Sequence, residues 1–106
     1  MWTLTVSAEG ERGPCGRVRE LYSNDKVSVA EVSVRGEGEE HYHRRTFEVY
    51  YVIDGRGKVV LNGRPVDVGP GDVVAIEPGT RHKVIGNLRM LVVCIPPFDP
   101  EDVYRV

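Results

Sequence analysis

The feature that most constrains the fold of this chain is the close spacing of its glycines and prolines. Between positions 36 and 97 these two residues recur at short intervals, with one longer gap at residues 39–54, and most of the longer intervening runs are about 4–8 residues long, the usual length of a β-strand. Valine is prominent in these runs, and its branched Cβ favours pleated strands. No stretch has a convincing helical period. The pattern is therefore typical of an all-β chain that folds as a sandwich or a barrel.

The runs predict about ten short strands in one domain that spans residues 1–106. Asn62-Gly63 is the strongest two-residue hairpin signal in the chain. In the tail, residues 99–105, Pro100 is expected to start a single short helical turn. The predicted strands cover residues 2–6, 18–22, 27–34, 41–43, 47–54, 58–61, 64–68, 72–76, 82–85 and 88–95.

Charge and cysteine content exclude several classes of protein. The net charge of −2 argues against a general nucleic-acid binder, which needs a basic surface. No apolar run approaches the roughly 20 residues that span a bilayer, and the N-terminus lacks a signal-peptide pattern, so we expect a cytoplasmic protein that has no membrane partner. Cys15 and Cys94 are expected to be unpaired thiols, because a secreted disulfide scaffold would carry more cysteines.

The three histidines of the chain, His41, His43 and His82, are candidates for a metal site. On a strand, residues two apart project to the same face, so His41 and His43 can bind one ion. Glu48 follows His43 by an odd spacing, so it can join them only if residues 44–46 form a turn or a bulge. Each residue alone has an ordinary structural explanation. Together, imidazole and carboxylate ligands suit Fe(II), Mn, Ni, Co, Cu or Zn.

Two segments carry a resemblance to a known family. The segment GEGEEHYHRRTFE, which begins at Gly36 and runs on to Gly55, resembles the first conserved motif of the cupins. The segment GDVVAIEPGTRH, which begins at Gly71 and runs on to Asn87, resembles the second. The chain is thus identified as a small single-domain cupin with an RmlC-like jelly roll. The resemblance implies a double-stranded β-helix barrel and one divalent metal ion. The ligands that it implies are His41, His43, Glu48 and His82.

Cupins share a fold and differ widely in chemistry, so the fold does not give the function. Four protein ligands on a six-coordinate ion would leave two positions, which suits a metabolite that offers two adjacent oxygens. We expect a metal-dependent enzyme that acts on a small oxygen-rich metabolite, such as a sugar derivative or an organic acid. Isomerase, lyase and dioxygenase chemistry all stay open. The alternatives are a non-catalytic barrel that binds or senses a small ligand, and a metal-bound scaffold without a substrate.

Strand parity assigns the side chains near Glu48 to the inside or the outside of the barrel. Tyr50 shares the parity of Glu48, so it is expected to face inward and is the candidate catalytic residue, although such a tyrosine is more often a core aromatic whose hydroxyl is satisfied. Tyr51 is expected to face outward. Arg44 and Arg45 could bind an anionic group at the barrel mouth, but two arginines in a turn are more often simply solvated.

The size of the chain and its outward apolar residues predict self-association. A barrel of 106 residues has a thin core, and Val49, Tyr51 and Ile53 are apolar residues at outward positions. The predicted strand at residues 2–6 would otherwise be an exposed edge. We therefore expect a two-fold homodimer that joins sheets between chains.

Overall fold

The computed structural model describes residues 11–13 and 16–106 of the chain. The predicted strand at residues 2–6 and Cys15 lie outside these residues. Within the described part, the prediction of an all-β chain is confirmed, and no helix there is long and apolar enough to span a membrane. The strands are β1 (Glu11–Arg12), β2 (Arg17–Ser23), β3 (Ser28–Glu37), β4 (His41–Tyr42), β5 (Phe47–Leu61), β6 (Arg64–Val68), β7 (Val73–Ile76), β8 (His82–Ile95) and β9 (Tyr104–Arg105).

Strand β8 is the centre of the sheet, and all pairings among the described strands are antiparallel. One edge of β8 pairs with β3, followed by β4, and the other edge pairs with β5 along the whole strand. The opposite edge of β5 pairs with β7 through its first half and with β6 through its second half. β2 and β1 extend the sheet beyond β3, and β9 extends it beyond β4. This curled antiparallel sheet is consistent with the predicted jelly roll.

Side chains alternate between the inside and the outside along the strands, and the inward ones form the core. On β8 the even-numbered side chains from Val84 onward point inward, while their odd-numbered neighbours are partly or largely exposed. On β5 the inward parity changes between Val52 and Asp54, where the register with β8 shifts by one residue. The buried core consists of Val32, Val34, Tyr50, Val52, Val59, Val68, Ile76, Val84, Leu88, Met90, Val92 and Cys94.

Two of the predicted breaks between strands are wrong. The runs predicted at 47–54 and 58–61 form one strand, β5, and those predicted at 82–85 and 88–95 form one strand, β8. The glycines between these runs are not turns, because Gly55 and Gly57 remain paired with β8, and a side chain at either position would collide with the main chain of β8. Glycine is needed there for close approach of the two backbones, which the sequence does not distinguish from a tight turn.

The C-terminal tail contains the predicted turn and one strand that was not predicted. Pro100–Asp102 forms a single 3-10 helix, and the carboxylate of Asp99 accepts a hydrogen bond from Glu101 N at its start. The chain then returns to the sheet as β9, where Tyr104 pairs with Tyr42 of β4. The short strand β1 was also not predicted, because two residues carry no periodic pattern.

Candidate metal centre

The three histidines and Glu48 meet inside the barrel although they come from different strands. His82 begins β8 and pairs directly with His41 of β4, whereas Glu48 of β5 pairs with Cys94 near the far end of β8. Twelve residues of straight strand would span about 40 Å. The long strands must therefore curve strongly, because His82 Nε2 lies only 3.1 Å from Glu48 Oε1.

The segment between His43 and Glu48 contains the predicted turn. Residues 43–46 leave the strand conformation between the end of β4 and the start of β5. The main chain of His43 is held there because its carbonyl accepts a hydrogen bond from Gly79 N at 2.7 Å. This irregular segment corrects the odd spacing, so that Glu48 faces the same interior as the histidines.

One nitrogen of each histidine ring is bound to a main-chain carbonyl. Because a carbonyl only accepts, each Nδ1 must carry a proton, and in the neutral ring Nε2 then presents a lone pair. This arrangement is the usual way in which a protein fixes the tautomer and orientation of a histidine metal ligand. The three donations are from His41 to Glu39 O at 2.8 Å, from His43 to Asp102 O at 2.9 Å and from His82 to Thr80 O at 2.8 Å.

The acceptor atoms of the cluster face one another without water access. His41, His43, Glu48 and His82 are only 0–4% exposed, and the candidate ligand nitrogens of the three rings lie within 4.8 Å of one another. Glu48 Oε1 lies 3.0 Å from His43 Nε2. Within the described residues, neither Glu48 Oε1 nor His82 Nε2 has a hydrogen-bond partner of good geometry.

These distances fit a bound cation. Two ligand atoms about 2.1 Å from one ion and at right angles to each other lie about 3.0 Å apart. The separations of Glu48 Oε1 from His43 Nε2 and from His82 Nε2, 3.0 and 3.1 Å, match this value. The four residues that the sequence singled out thus form a chemically suitable donor set for a divalent metal ion.

Electrostatics in the cluster favours a cation beside Glu48. Burial would raise the pKa of Glu48, but the close approach and the charge interactions of His43 and His82 lower it to about 2. Burial and the neighbouring His82 lower the pKa of His41 to about 4. Burial also opposes the charged form of His43, yet its interactions with Glu48 outweigh this and raise its pKa. At neutral pH the site therefore contains a carboxylate and a neutral His41.

Two further side chains adjoin the cluster from the core. The buried thiol of Cys94 donates a weak hydrogen bond to Glu48 Oε2 at 3.7 Å, which leaves Oε1 directed toward the histidines. Tyr50 is fully buried, and its ring lies edge-on to the His82 ring with 6.3 Å between centroids. The inward orientation predicted for Tyr50 is confirmed, as is the outward orientation of Tyr51, which is 45% exposed.

The two arginines of the turn contact the C-terminal tail. Both side chains are exposed, which agrees with the solvated alternative. The guanidinium of Arg44 lies over the ring of Tyr104, 4.3 Å from its centroid. Arg45 forms an ion pair with Asp99 at 2.8 Å, so its charge is already balanced.

Sequence reasoning missed Asp102. This buried carboxylate accepts hydrogen bonds from Arg44 N and Arg45 N, and its own carbonyl accepts one from His43. Burial would raise the pKa of Asp102, but the main-chain donors of Arg45 and Arg44 and the charge of Arg45 lower it. Asp102 follows Pro100 and Glu101 in an ordinary acidic segment, and this local sequence gives no signal of such a role.

Comparison with known proteins decides the family. Residues 28–96, well over half of the chain, match the sequence model described as "Cupin domain". The chain belongs to the cupin family. The cupin is 36% identical over 88 residues to an uncharacterised protein of Methanocaldococcus jannaschii, a match that covers 77% of this chain and 70% of that protein.

Solved structures resemble this cupin over nearly the whole chain. Pac13, described as a nucleoside dehydratase, has a TM-score of 0.88 and 25% identity, and the match covers 100% of this chain and 91% of that one. A Streptomyces Pac13 variant was solved with uridine and has the same TM-score of 0.88. KdgF from Halomonas sp. has a TM-score of 0.83 at 19% identity, with 95% of this chain and 99% of that one covered, which reflects a shared fold.

Proposed function

We propose that this cupin binds one divalent metal ion on His41, His43, Glu48 and His82. We further propose that it is a metal-dependent enzyme for a small oxygen-rich metabolite, such as a sugar derivative or an organic acid. The observation that carries the proposal is the convergence of buried lone pairs on Glu48 Oε1, 3.0 and 3.1 Å from two imidazole nitrogens. Such an arrangement is unfavourable unless a proton or a cation lies between the acceptors.

The chain supplies three functions around such an ion. The histidines and Glu48 would hold it, and the donor set suits Fe, Mn, Ni, Co, Cu or Zn. When bound, the ion supplies Lewis-acid polarisation of a ligand's oxygen atoms. Tyr50 offers an inward phenol for hydrogen bonding to the ligand. The buried valines of the core exclude water and so strengthen electrostatic interactions in the site.

The similarity to Pac13 supports the oxygen-rich class of substrate. A Streptomyces Pac13 variant was solved with uridine, and the ribose of uridine carries two adjacent hydroxyl groups. A nucleoside is also uncharged, which suits a buried site whose one carboxylate faces the proposed ion. Uridine is therefore the first probe to test, followed by free sugars and hydroxy acids.

Metal content tests the first half of the proposal. The purified protein is expected to contain close to one ion per chain by elemental analysis. Glu48→Gln keeps the side-chain volume and removes the charge, so it should lose most of the metal. Glu37→Gln is the matched control, because Glu37 is exposed and lies at the end of β3. Equal metal content in wild type and Glu48→Gln would contradict ligation by Glu48.

Turnover tests the second half. With the metal identified, conversion of uridine and of small hydroxy-carbonyl compounds is measured with and without a chelator. Metal-dependent product formation is the expected result. Saturable ligand binding without turnover would instead indicate a binding or sensing barrel.

One observation favours a second candidate, a metal ion that only stabilises the barrel. The four proposed ligands are 0–4% exposed, whereas a catalytic ion must be reached by its substrate. Ligand access separates the two candidates. If no oxygen-rich ligand alters the visible spectrum of the Co²⁺-loaded protein while Co²⁺ raises its melting temperature, the ion is structural.

A further inference from the structure

The C-terminal tail reaches back to the segment that carries two of the proposed ligands. Asp102, the last residue of the 3-10 helix, is only 2% exposed. Its Oδ1 accepts a hydrogen bond from Arg44 N at 3.0 Å, and its Oδ2 accepts one from Arg45 N at 3.0 Å and one from Thr46 Oγ1 at 3.3 Å. The carboxylate therefore binds every residue of the turn between His43 and Glu48.

The main chain of the same residue orients His43. Asp102 O accepts the Nδ1 proton of His43 at 2.9 Å. The other two histidines donate to carbonyls only two residues away in sequence, so their ring orientations are set locally. The orientation of His43 depends instead on a residue 59 positions away.

The turn itself determines whether Glu48 belongs to the site. Glu48 has the wrong parity relative to His43 for a continuous strand, and only the irregular segment between them directs both side chains inward. Two adjacent main-chain N–H groups in that segment donate to one carboxylate, and charge-assisted bonds of this kind are strong. Removing the carboxylate would leave these partly buried donors without their acceptor.

We propose that Asp102 is a positioning residue of the metal centre: its carbonyl orients His43 and its carboxylate fixes the turn that presents Glu48. This inference rests on the proposed metal site and adds a residue from outside the two cupin motifs. Asp102 does not contact the metal position in this scheme. It acts through His43 and Glu48, while His41 and His82 are independent of it.

The variant Asp102→Asn tests this assignment. It keeps the side-chain volume but replaces one acceptor oxygen by an NH₂ group. This donor would then face the main-chain N–H of Arg44 or Arg45, which is also a donor. In ¹⁵N-edited NMR spectra of the metal-free protein, the signals of the His43 ring should change while those of His41 and His82 keep the Nδ1-protonated pattern. The Co²⁺ affinity should fall about 10–100-fold, the usual effect of disturbing the contacts that orient a ligand, because a displaced tail shifts both the carbonyl at His43 and the turn before Glu48.

The matched control is Glu101→Gln, which removes one negative charge from the exposed neighbouring position and should match wild type in both measurements. Thr46→Val provides a milder test should Asp102→Asn fold poorly, because it removes one hydroxyl donor. It should produce the same selective change at His43, with a smaller loss of Co²⁺ affinity.

Two results would overturn the proposal. One is a wild-type imidazole spectrum and wild-type Co²⁺ affinity in folded Asp102→Asn or, where that variant does not fold, in Thr46→Val. The other is an equal change in the signals of all three rings, which would indicate that the substitution disorders the whole site and not His43 selectively. If wild type itself takes up no metal, the proposed function fails, and the metal-free NMR comparison alone then decides whether Asp102 orients His43.

Discussion

At the scale of single residues, Tyr50 is the side chain best placed to act on a ligand without binding the metal. It lies one pleat from Glu48 on the same face of β5, and its neutral phenol is not one of the imidazole and carboxylate groups proposed as metal ligands. Tyr50→Phe should leave the metal content unchanged and alter ligand affinity or turnover. Tyr51→Phe, the outward neighbour, is the control and should behave as wild type. Elemental analysis and ligand titration measure the two effects separately.

Loss of metal in Tyr50→Phe would change the interpretation of this residue. The Tyr50 ring lies edge-on to the His82 ring, with centroids 6.3 Å apart. A tyrosine whose hydroxyl is needed for metal binding would be orienting that histidine or supporting the core. The substrate role would then be wrong.

The proton affinity of His43 predicts how metal binding depends on pH. The pKa of His43 is raised by its interactions with Glu48 against the opposing effect of burial, so the metal-free site binds a proton there as the pH falls. Because a protonated imidazole cannot ligate, the affinity for metal should fall about tenfold per pH unit below the pKa of His43. His41, with a pKa of about 4, should add a second proton only in stronger acid.

Competition with a chelator of known pH dependence measures this effect between pH 7.5 and 4.5. Binding should be accompanied by proton release, which calorimetry in buffers of different ionisation enthalpy detects. An affinity that is constant down to pH 4.5 would contradict ligation by three histidines.

At the scale of secondary-structure elements, the close approach of β5 and β8 depends on glycine. A Cβ on Gly55 would lie 2.0 Å from Asn87 O, and Gly55 also has a φ of +87°. Gly63 has a similar φ of +81° but open space around it. Gly63→Ala should therefore cost only backbone strain, about 1–2 kcal/mol, whereas Gly55→Ala should cost about 1–3 kcal/mol more through overpacking.

Urea unfolding of the two variants isolates the steric contribution, because the backbone strain is nearly common to both. An equal loss of unfolding free energy in Gly55→Ala and Gly63→Ala would mean that β5 and β8 separate easily. The continuity of β5 through Gly55 would then have little energetic importance.

The elements also show what the sequence can and cannot reveal. The strand at 64–68 was predicted with its observed bounds, because the hairpin signal at Asn62-Gly63 fixes its start. The prediction of two strands in place of β5 was wrong. In the sequence, a glycine that allows two strands to approach closely, such as Gly55, looks the same as a glycine in a turn. In the site, the spacing of His41, His43 and Glu48 is local and predictable. The role of Asp102 is not, because it depends on how the barrel closes.

At the scale of the whole molecule, the outer face of the sheet is a candidate interface. On β5, β7 and β8 the outward side chains form adjacent apolar rows, in which Tyr51 pairs with Val73 on one side and Leu91 on the other. Tyr51 and Val73 are 45% and 61% exposed, and no described segment covers them. Glu31 lies opposite Leu91 on β3, and its charge is balanced by ion pairs with Arg19 and Arg89. The rows continue through Phe47, Val49, Ala75, Val93 and Ile95.

An uncharged apolar centre with a balanced polar margin is the anatomy of a self-complementary interface. We therefore predict a two-fold homodimer through this face. The apolar area buried in the dimer would add to the stability that the thin core of a small barrel provides. Val73→Lys should convert the dimer to a monomer, because each interface would bury two unpaired charges. Val66→Lys is the control, since Val66 is an exposed valine on β6, which pairs with the other half of β5. Light scattering at micromolar concentration should report a dimer for wild type and Val66→Lys, and a monomeric wild type would rule the interface out.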